Sequence, residues 1–332
     1  MSMVHLPPLV TSLGTFHHDT ASHLLRSRDA GVPVALVHPG LIFGEDQTGV
    51  DTVIGPKGVT KLDAKARQTD GLWSAIAAVG ALTTGTPNDL LSLSRSLRQA
   101  STSRTTSYLL GLCTKAHQVV TGLRLISEAS VTVLGCGGIG SLLAMQLAGA
   151  GVGHLRLVDG DRVEESNLNR QLFYTLRDVG RLKIEVLQEA LVARFPDLRI
   201  STSPTYVHQD DYTEALGYSS FVAVTADDPV GLSVDVAAAL SRTETKVVAA
   251  GYRFSLGVVS LIDGDRARES RDVGLTWGLL SGSVVPSFGP QNGQIASVLA
   301  SVILLSAAGL QEIGTTREWM TNGDPSDFMG GF

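Results

Sequence analysis

Residues 131–140 run Val131-Thr132-Val133-Leu134-Gly135-Cys136-Gly137-Gly138-Ile139-Gly140, an apolar stretch that breaks into glycines. A strand that ends this way and restarts as a helix belongs to a mainly parallel sheet with helices on both faces. The glycines have separate tasks. Gly135 permits the tight turn out of the strand, Gly137 lets the backbone approach a phosphate, and Gly140 permits close helix–strand contact, with Gly138 completing the run. Backbone N–H groups of such a loop, with the following helix N-terminus, form a cradle for a phosphate.

Taken alone, the loop fits NAD-binding proteins equally well. The residues downstream of it separate the two. Asp159 lies just past the next apolar strand, 155–158, roughly 20 residues on, where an acid can accept hydrogen bonds from ribose hydroxyls. Then come Ser166-Asn167-Leu168-Asn169-Arg170-Gln171 and Gly180-Arg181-Leu182-Lys183. Hydride transfer has no need of Asn167, Arg170 and Lys183 around a phosphate. A triphosphate undergoing chemistry does, so the cassette reads as a site for ATP that is consumed.

Together these segments resemble the ThiF/MoeB/HesA family, the ubiquitin-activating-type adenylating enzymes, from about Arg104 to Leu310. The resemblance implies a Rossmann-like α/β fold. It also implies that ATP and a carboxylate give an acyl-adenylate and pyrophosphate. By the same resemblance Asn167 and Arg170 contact the phosphates, Gln171 supports them, and Lys183 neutralises charge on the reacting group. Asp227, in Asp227-Asp228-Pro229 after strand 221–225, matches the acid that holds magnesium (Mg2+) near the phosphates. Its other reading is an N-cap for a helix beginning at Pro229. Arg104 matches an arginine that reaches into the partner subunit's site, which makes the active species a homodimer; the competing reading is an ordinary surface arginine. Arg253 faces either a substrate carboxylate or solvent.

Composition narrows the setting. The 332 residues suffice for one large domain or two ordinary ones, and 43% hydrophobic with 17% charged residues suits a globular protein with a sizeable core. A net charge of −6 supplies no basic field for nucleic acid or an anionic membrane. The only two cysteines, Cys113 and Cys136, argue against a disulfide framework and for a cytoplasmic location. The CxxC pairs that many family members use for structural zinc are missing, so no zinc is expected. Thioester-forming relatives carry a cysteine in the crossover region; none follows Cys136 here, so the acyl group is expected to pass to an external nucleophile or react within the substrate. No signal-peptide pattern opens the sequence, and the apolar run 295–310 is too short to span a bilayer. It reads as a helix buried on the sheet. The terminal Gly330-Gly331-Phe332 echoes carrier proteins that end in Gly-Gly, and is taken as coincidence.

The first hundred residues differ in character. Short strand candidates at 34–37, 41–43, 53–54 and 59–62 precede helical patterns at 71–79 and 88–100. We expect a small α+β module at 1–100, an adenylation domain at 101–315 and a flexible tail at 316–332. The order of elements in the module resembles the winged-helix-like peptide-recognition module of ribosomal-peptide-modifying enzymes. The alternative is an extension that supports the dimer or covers the nucleotide site. The expected substrate is therefore the C-terminal carboxylate of a ribosomally made precursor peptide, with a ubiquitin-like sulfur carrier protein as the alternative. A tRNA-modifying role is disfavoured by the acidic balance. A leader-binding scaffold without chemistry is opposed by the intact Arg170, Lys183 and Asp227.

Overall fold

Short antiparallel strands come first in the chain and a long parallel sheet second, in two compact units, Met1–Arg124 and Leu125–Phe332. The computed structural model describes residues 6, 8–11, 14–45, 50–62, 70–207, 212–216, 218–226, 229, 231–265, 267, 287–312 and 316–321. Asp227 and Asp228 lie outside the described residues, as does most of the charged run 263–272.

In the first unit, β1 (Leu9–Thr11), β2 (Gly14–Asp19), β3 (Leu24–Ser27), β4 (Pro33–Val37) and β8 (Leu82–Thr84) form an antiparallel sheet in the order β1-β2-β3-β4-β8. A second antiparallel sheet joins β5 (Ile42–Glu45), β6 (Asp51–Gly55) and β7 (Gly58–Lys61). Helix α1 (Asp70–Ala78) drives Leu72, Trp73 and Ile76 into a core with Leu25, Val37 and Val53. Helix α2 (Pro87–Arg98) starts where Thr86 Oγ1 accepts the Asp89 N–H at 3.2 Å, with proline in the first turn. Its fully buried Leu90 and Leu93 each contribute about 1.5–3 kcal/mol of burial. Helix α3 (Ser103–Leu112) packs on α2, so the unit runs past residue 100, where the sequence placed its end. Helix α4 (Ala116–Glu128) carries the division between the units.

The second unit holds β9 (Ser130–Leu134), β10 (His154–Val158), β11 (Arg199–Ser203), β12 (Phe221–Val224), β13 (Lys246–Arg253), β14 (Leu256–Ile262) and β15 (Thr316–Met320). Their order is β11-β10-β9-β12-β13-β14-β15, parallel through β13 and antiparallel beyond. This is the expected mainly parallel Rossmann-like sheet. β9 and β12 are buried nearly end to end, as a strand covered on both faces must be. Helix α5 (Gly140–Ala150) packs against α6 (Lys183–Arg194) and α9 (Gly289–Ala307). Val222, Val224, Leu134 and Val158 point the other way, into a core with α7 (Tyr212–Leu216) and α8 (Leu232–Leu240). Helix α8 starts at Leu232, behind Gly231 at φ 88°, and not at Pro229 as the sequence suggested. Residues 316–320, assigned to a flexible tail from the sequence, pair with β14 as the sheet edge β15. The run 295–310 lies mostly in α9, which packs on α5, β13 and β14. Among the described residues no helix is long and apolar enough to cross a membrane.

Chain order reverses about β9, since β10 lies on one side and β12 on the other. In an open α/β sheet this is where a crevice forms beyond the carboxyl ends of the strands. Register sharpens the point. Leu134 pairs with both Val158 and Val224, so Gly135, Asp159 and Thr225 leave the sheet at one level.

Candidate nucleotide site

The glycine loop emerges from β9 at Gly135, whose φ of 93° suits glycine alone. A Cβ there would come within 2.8 Å of both the Cβ and the amide nitrogen of Ala226. Thr225 Oγ1 donates to the Gly135 carbonyl at 2.7 Å and so ties β12 to the turn. At Gly140 a Cβ would collide with the Gly135 carbonyl and lie 2.6 Å from Thr225 Oγ1. The first turn of α5 is thereby pressed onto the strand ends, with its N–H end at the loop.

Asp159 braces this loop. Its Oδ2 accepts the Cys136 N–H at 2.6 Å and its Oδ1 accepts the Asp161 N–H at 2.7 Å. Each carboxylate oxygen retains a lone pair for a further donor such as a ribose hydroxyl. On the opposite side of the turn, the Tyr174 hydroxyl donates to the Cys136 carbonyl at 2.6 Å. Burial, with the nearby Cys136, Asp159 and Asp161, pushes the Tyr174 phenol far above its ordinary value, so it stays a donor.

Lys183 is the most informative residue. It is the first residue of α6, where the helix dipole opposes a cation, and it is only 6% exposed. A buried cation at a helix N-terminus is unfavourable unless paired. Asp161 supplies the pair: its Oδ2 accepts from Lys183 Nζ at 2.7 Å and its carbonyl accepts the Lys183 N–H at 3.0 Å. The Tyr206 hydroxyl donates to Asp161 Oδ1, also at 2.7 Å. Burial works to raise the Asp161 carboxyl, but the hydrogen bonds from Lys183 and Tyr206 and the lysine's charge outweigh it and hold the group below its ordinary value. Asp161 was in view in the sequence between Asp159 and the Asn-Arg-Gln run, yet its role depends on α6 and the end of β11 converging on it.

The Asn-Arg-Gln run folds against the glycines. The amide of Gln171, 5% exposed, lies 3.6 Å from where a Cβ at Gly137 would sit, and the Arg170 carbonyl lies 3.5 Å from the same point at Gly138. Nη1 of Arg170 donates to the Ser166 carbonyl at 2.8 Å and to Asn169 Oδ1 at 3.0 Å, which fixes the guanidinium beside its own loop. Asn167 is buried, and its Oδ1 accepts the Glu164 N–H at 3.1 Å, closing a short 3-10 turn (Glu165–Asn167). Asn292 was not foreseen. It comes from α9, is 2% exposed, and its amide occupies the space a Gly138 side chain would need. Among the described residues neither Gln171 Oε1 nor Asn292 Oδ1 has a hydrogen-bond partner. Each of these carbonyl oxygens is an acceptor open to a hydroxyl, a water or a metal ion.

Of the residues singled out from the sequence, Gly135, Gly137, Gly138, Gly140, Asp159, Asn167, Arg170, Gln171 and Lys183 thus gather at the carboxyl ends of β9 and β10. Arg104 is exposed on α3 in the first unit, and Arg253 is exposed at the end of β13. Asp227 follows Thr225 and Ala226 in the chain but is not described. No cluster of three or more histidine, cysteine or carboxylate side chains forms a metal site among the described residues. A magnesium ion does not require one, since one or two protein carboxylates with phosphate oxygens and water suffice.

A glycine-rich loop, an acid bracing it and a buried lysine, gathered at one end of a parallel sheet, form a candidate nucleotide site in an α/β protein. The ThiF family model matches residues 116–316, and the chain belongs to that family. It is similar to a sulfur carrier protein adenylyltransferase from Thermus thermophilus, 38% identical over 120 residues that make up 36% of this chain and 44% of the relative. It is also similar to a tRNA threonylcarbamoyladenosine dehydratase from Bacillus subtilis, 32% identical over 109 residues, 33% of this chain and 43% of the relative. The chain spans less than half the length of these curated relatives. Among solved structures, E. coli MccB, described as a microcin C7 biosynthetic enzyme and solved with AMPCPP and MccA, superposes with a TM-score of 0.65. That likeness covers 88% of this chain and 98% of MccB at 18% identity, and it establishes a shared fold.

Proposed function

We propose that this chain is an ATP- and magnesium-dependent adenylating enzyme acting on the C-terminal carboxylate of a ribosomally made precursor peptide. A single observation carries the reading. A buried lysine, held by Asp161 at 2.7 Å, is linked through Asp161 and Asp159 to the backbone of the glycine loop. In adenylation a carboxylate oxygen bonds to the α-phosphorus, the α–β anhydride bond breaks, and pyrophosphate leaves with the electron pair. Negative charge gathers on the α-phosphate and the leaving group. Lys183 and Arg170 oppose that charge, Asn167 and Gln171 add neutral donors, and the loop N–H groups hold the phosphates. Asp227 would hold magnesium, which supplies charge neutralisation of the phosphates when bound.

The peptide reading draws support from the MccB-like fold, which extends well beyond the family domain and takes in the N-terminal unit. In this reading the N-terminal unit recognises the peptide. The relative from Thermus thermophilus favours a second reading, adenylation of a ubiquitin-like sulfur carrier. By family resemblance the active species is a homodimer in which Arg104 reaches the partner subunit's site.

ATP–pyrophosphate exchange tests the proposal directly. Exchange should require magnesium and a peptide with a free C-terminal carboxylate, and an amidated peptide should give none. Lys183→Ala should lower the rate by about 10²–10³, the usual loss for one well-placed donor, and Asp227→Ala should abolish it. Exchange supported only by a small carrier ending in Gly-Gly would select the second reading. Absence of exchange with either substrate would reject adenylation.

A further inference from the structure

We propose that Tyr206 is the wall on which the base of the bound nucleotide stacks. The inference rests on the adenylation reading of the same site and adds to it the subsite for the base. Tyr206 stands just beyond the end of β11, next to β10 and on the side away from the glycine loop. Its ring lies over Gly160, where a Cβ would approach three ring carbons to 2.8–2.9 Å. Glycine at 160 therefore makes room for the ring itself. The hydroxyl end is fixed, because it donates to Asp161 Oδ1 at 2.7 Å while Lys183 occupies Oδ2. An aromatic ring seated on backbone at one end and tethered at the other is pre-oriented, and 63% of the residue is still exposed.

The direction of a bound nucleotide leads to this ring. Phosphates sit at the glycine loop beyond β9, and the ribose acid Asp159 lies at the end of β10. A base carried on that ribose continues to the next strand end in the sheet, which is β11. Loop phosphates, ribose acid and aromatic ring thus follow one another across three adjacent strands. A flat base is what an exposed aromatic face accepts at little entropic cost, since a tethered ring has already lost its freedom. Stacking of this kind tolerates different bases, so it contributes affinity more than selectivity.

Equilibrium dialysis of the full-length protein with magnesium separates base from phosphate. The two probes are ATP and inorganic triphosphate, which has no base. Tyr206→Ala should weaken ATP binding about ten-fold, within the range for losing one stacked base, and leave triphosphate binding unchanged. Tyr206→Phe should retain most of the ATP affinity, because the ring survives and only its tether is lost. Wild-type ATP affinity in Tyr206→Ala would overturn the inference. So would equal losses for ATP and triphosphate, which would reduce the ring to a support for Lys183. Failure of the wild-type protein to bind either probe would instead overturn the adenylation reading beneath it.

Discussion

At Gly140 an added Cβ would meet the Gly135 carbonyl, a backbone atom that cannot swing aside, and Thr225 Oγ1 at 2.6 Å. Gly140→Ala should therefore cost about 1–3 kcal/mol of stability, as overpacking does, and displace the loop. At Gly137 the nearest atom to an added Cβ is Gln171 Nε2 at 3.6 Å, an ordinary contact. Gly137→Ala should leave the melting curve in place and weaken ATP binding, because in the proposed reading the methyl group enters the space that a phosphate takes. Calorimetry with ATP dialysis on both variants checks the contrast, and equal melting shifts would contradict it. The glycine spacing alone marks the loop but does not reveal which glycine answers to the protein and which to the ligand. Asp161 and Asn292 were harder still to read. One is defined by partners from α6 and the end of β11, and the other arrives from α9, far along the chain.

Among the elements, β4, β6, β7, α1 and α2 were legible because apolar alternation or a proline start marks them. α3 was not, since Ser103, Thr105, Thr106 and Ser107 are poor helix formers, and its helix is held by the buried Leu109 and Leu110. β11, with the sequence Arg-Ile-Ser-Thr-Ser, is an edge strand open to water and so carries no apolar run. One connection in the first unit makes that unit sensitive to acid. His38 Nδ1 accepts the Gly40 N–H at 3.0 Å, so Nε2 carries the proton and donates to the Ser107 carbonyl, also at 3.0 Å. Burial lowers the His38 value below 6.5, with the Ser107 bond opposing and His23 assisting. Burial likewise lowers His18 and His23. The unfolded chain then binds protons more readily than the native one. Stability should be complete above pH 6.5 and fall as pH drops below it through the depressed native values. Thermal melts from pH 7.5 to 5.5 should follow that course, with a shallower decline in His38→Leu, and a flat profile in the wild type would refute it.

For the molecule as a whole, the proposed reach of Arg104 into the partner subunit's site can be tested by complementation. Arg104→Ala and Lys183→Ala proteins should each be nearly inactive in pyrophosphate exchange. Co-expressed, they should recover roughly a quarter of wild-type exchange, because half the two-fold dimers are mixed and each mixed dimer retains one complete site of two. No recovery would confine Arg104 to its own subunit. The parallel sheet was the most legible part of the molecule, because buried strand runs alternating with helices admit few arrangements. The N-terminal unit was the least, because small antiparallel sheets leave only short and ambiguous runs. The chain's two thiols have a practical side. Cys113 is raised above its ordinary 9.0 by burial. Cys136, fully enclosed under the loop, is raised further by burial and by Asp159 against the pull of Lys183. Both sulfurs are buried and harder to ionise than a surface thiol, so a lone cysteine introduced at exposed Ser101, for example, would capture a maleimide dye ahead of them. Fluorescent tracking of the protein needs no cysteine-free background.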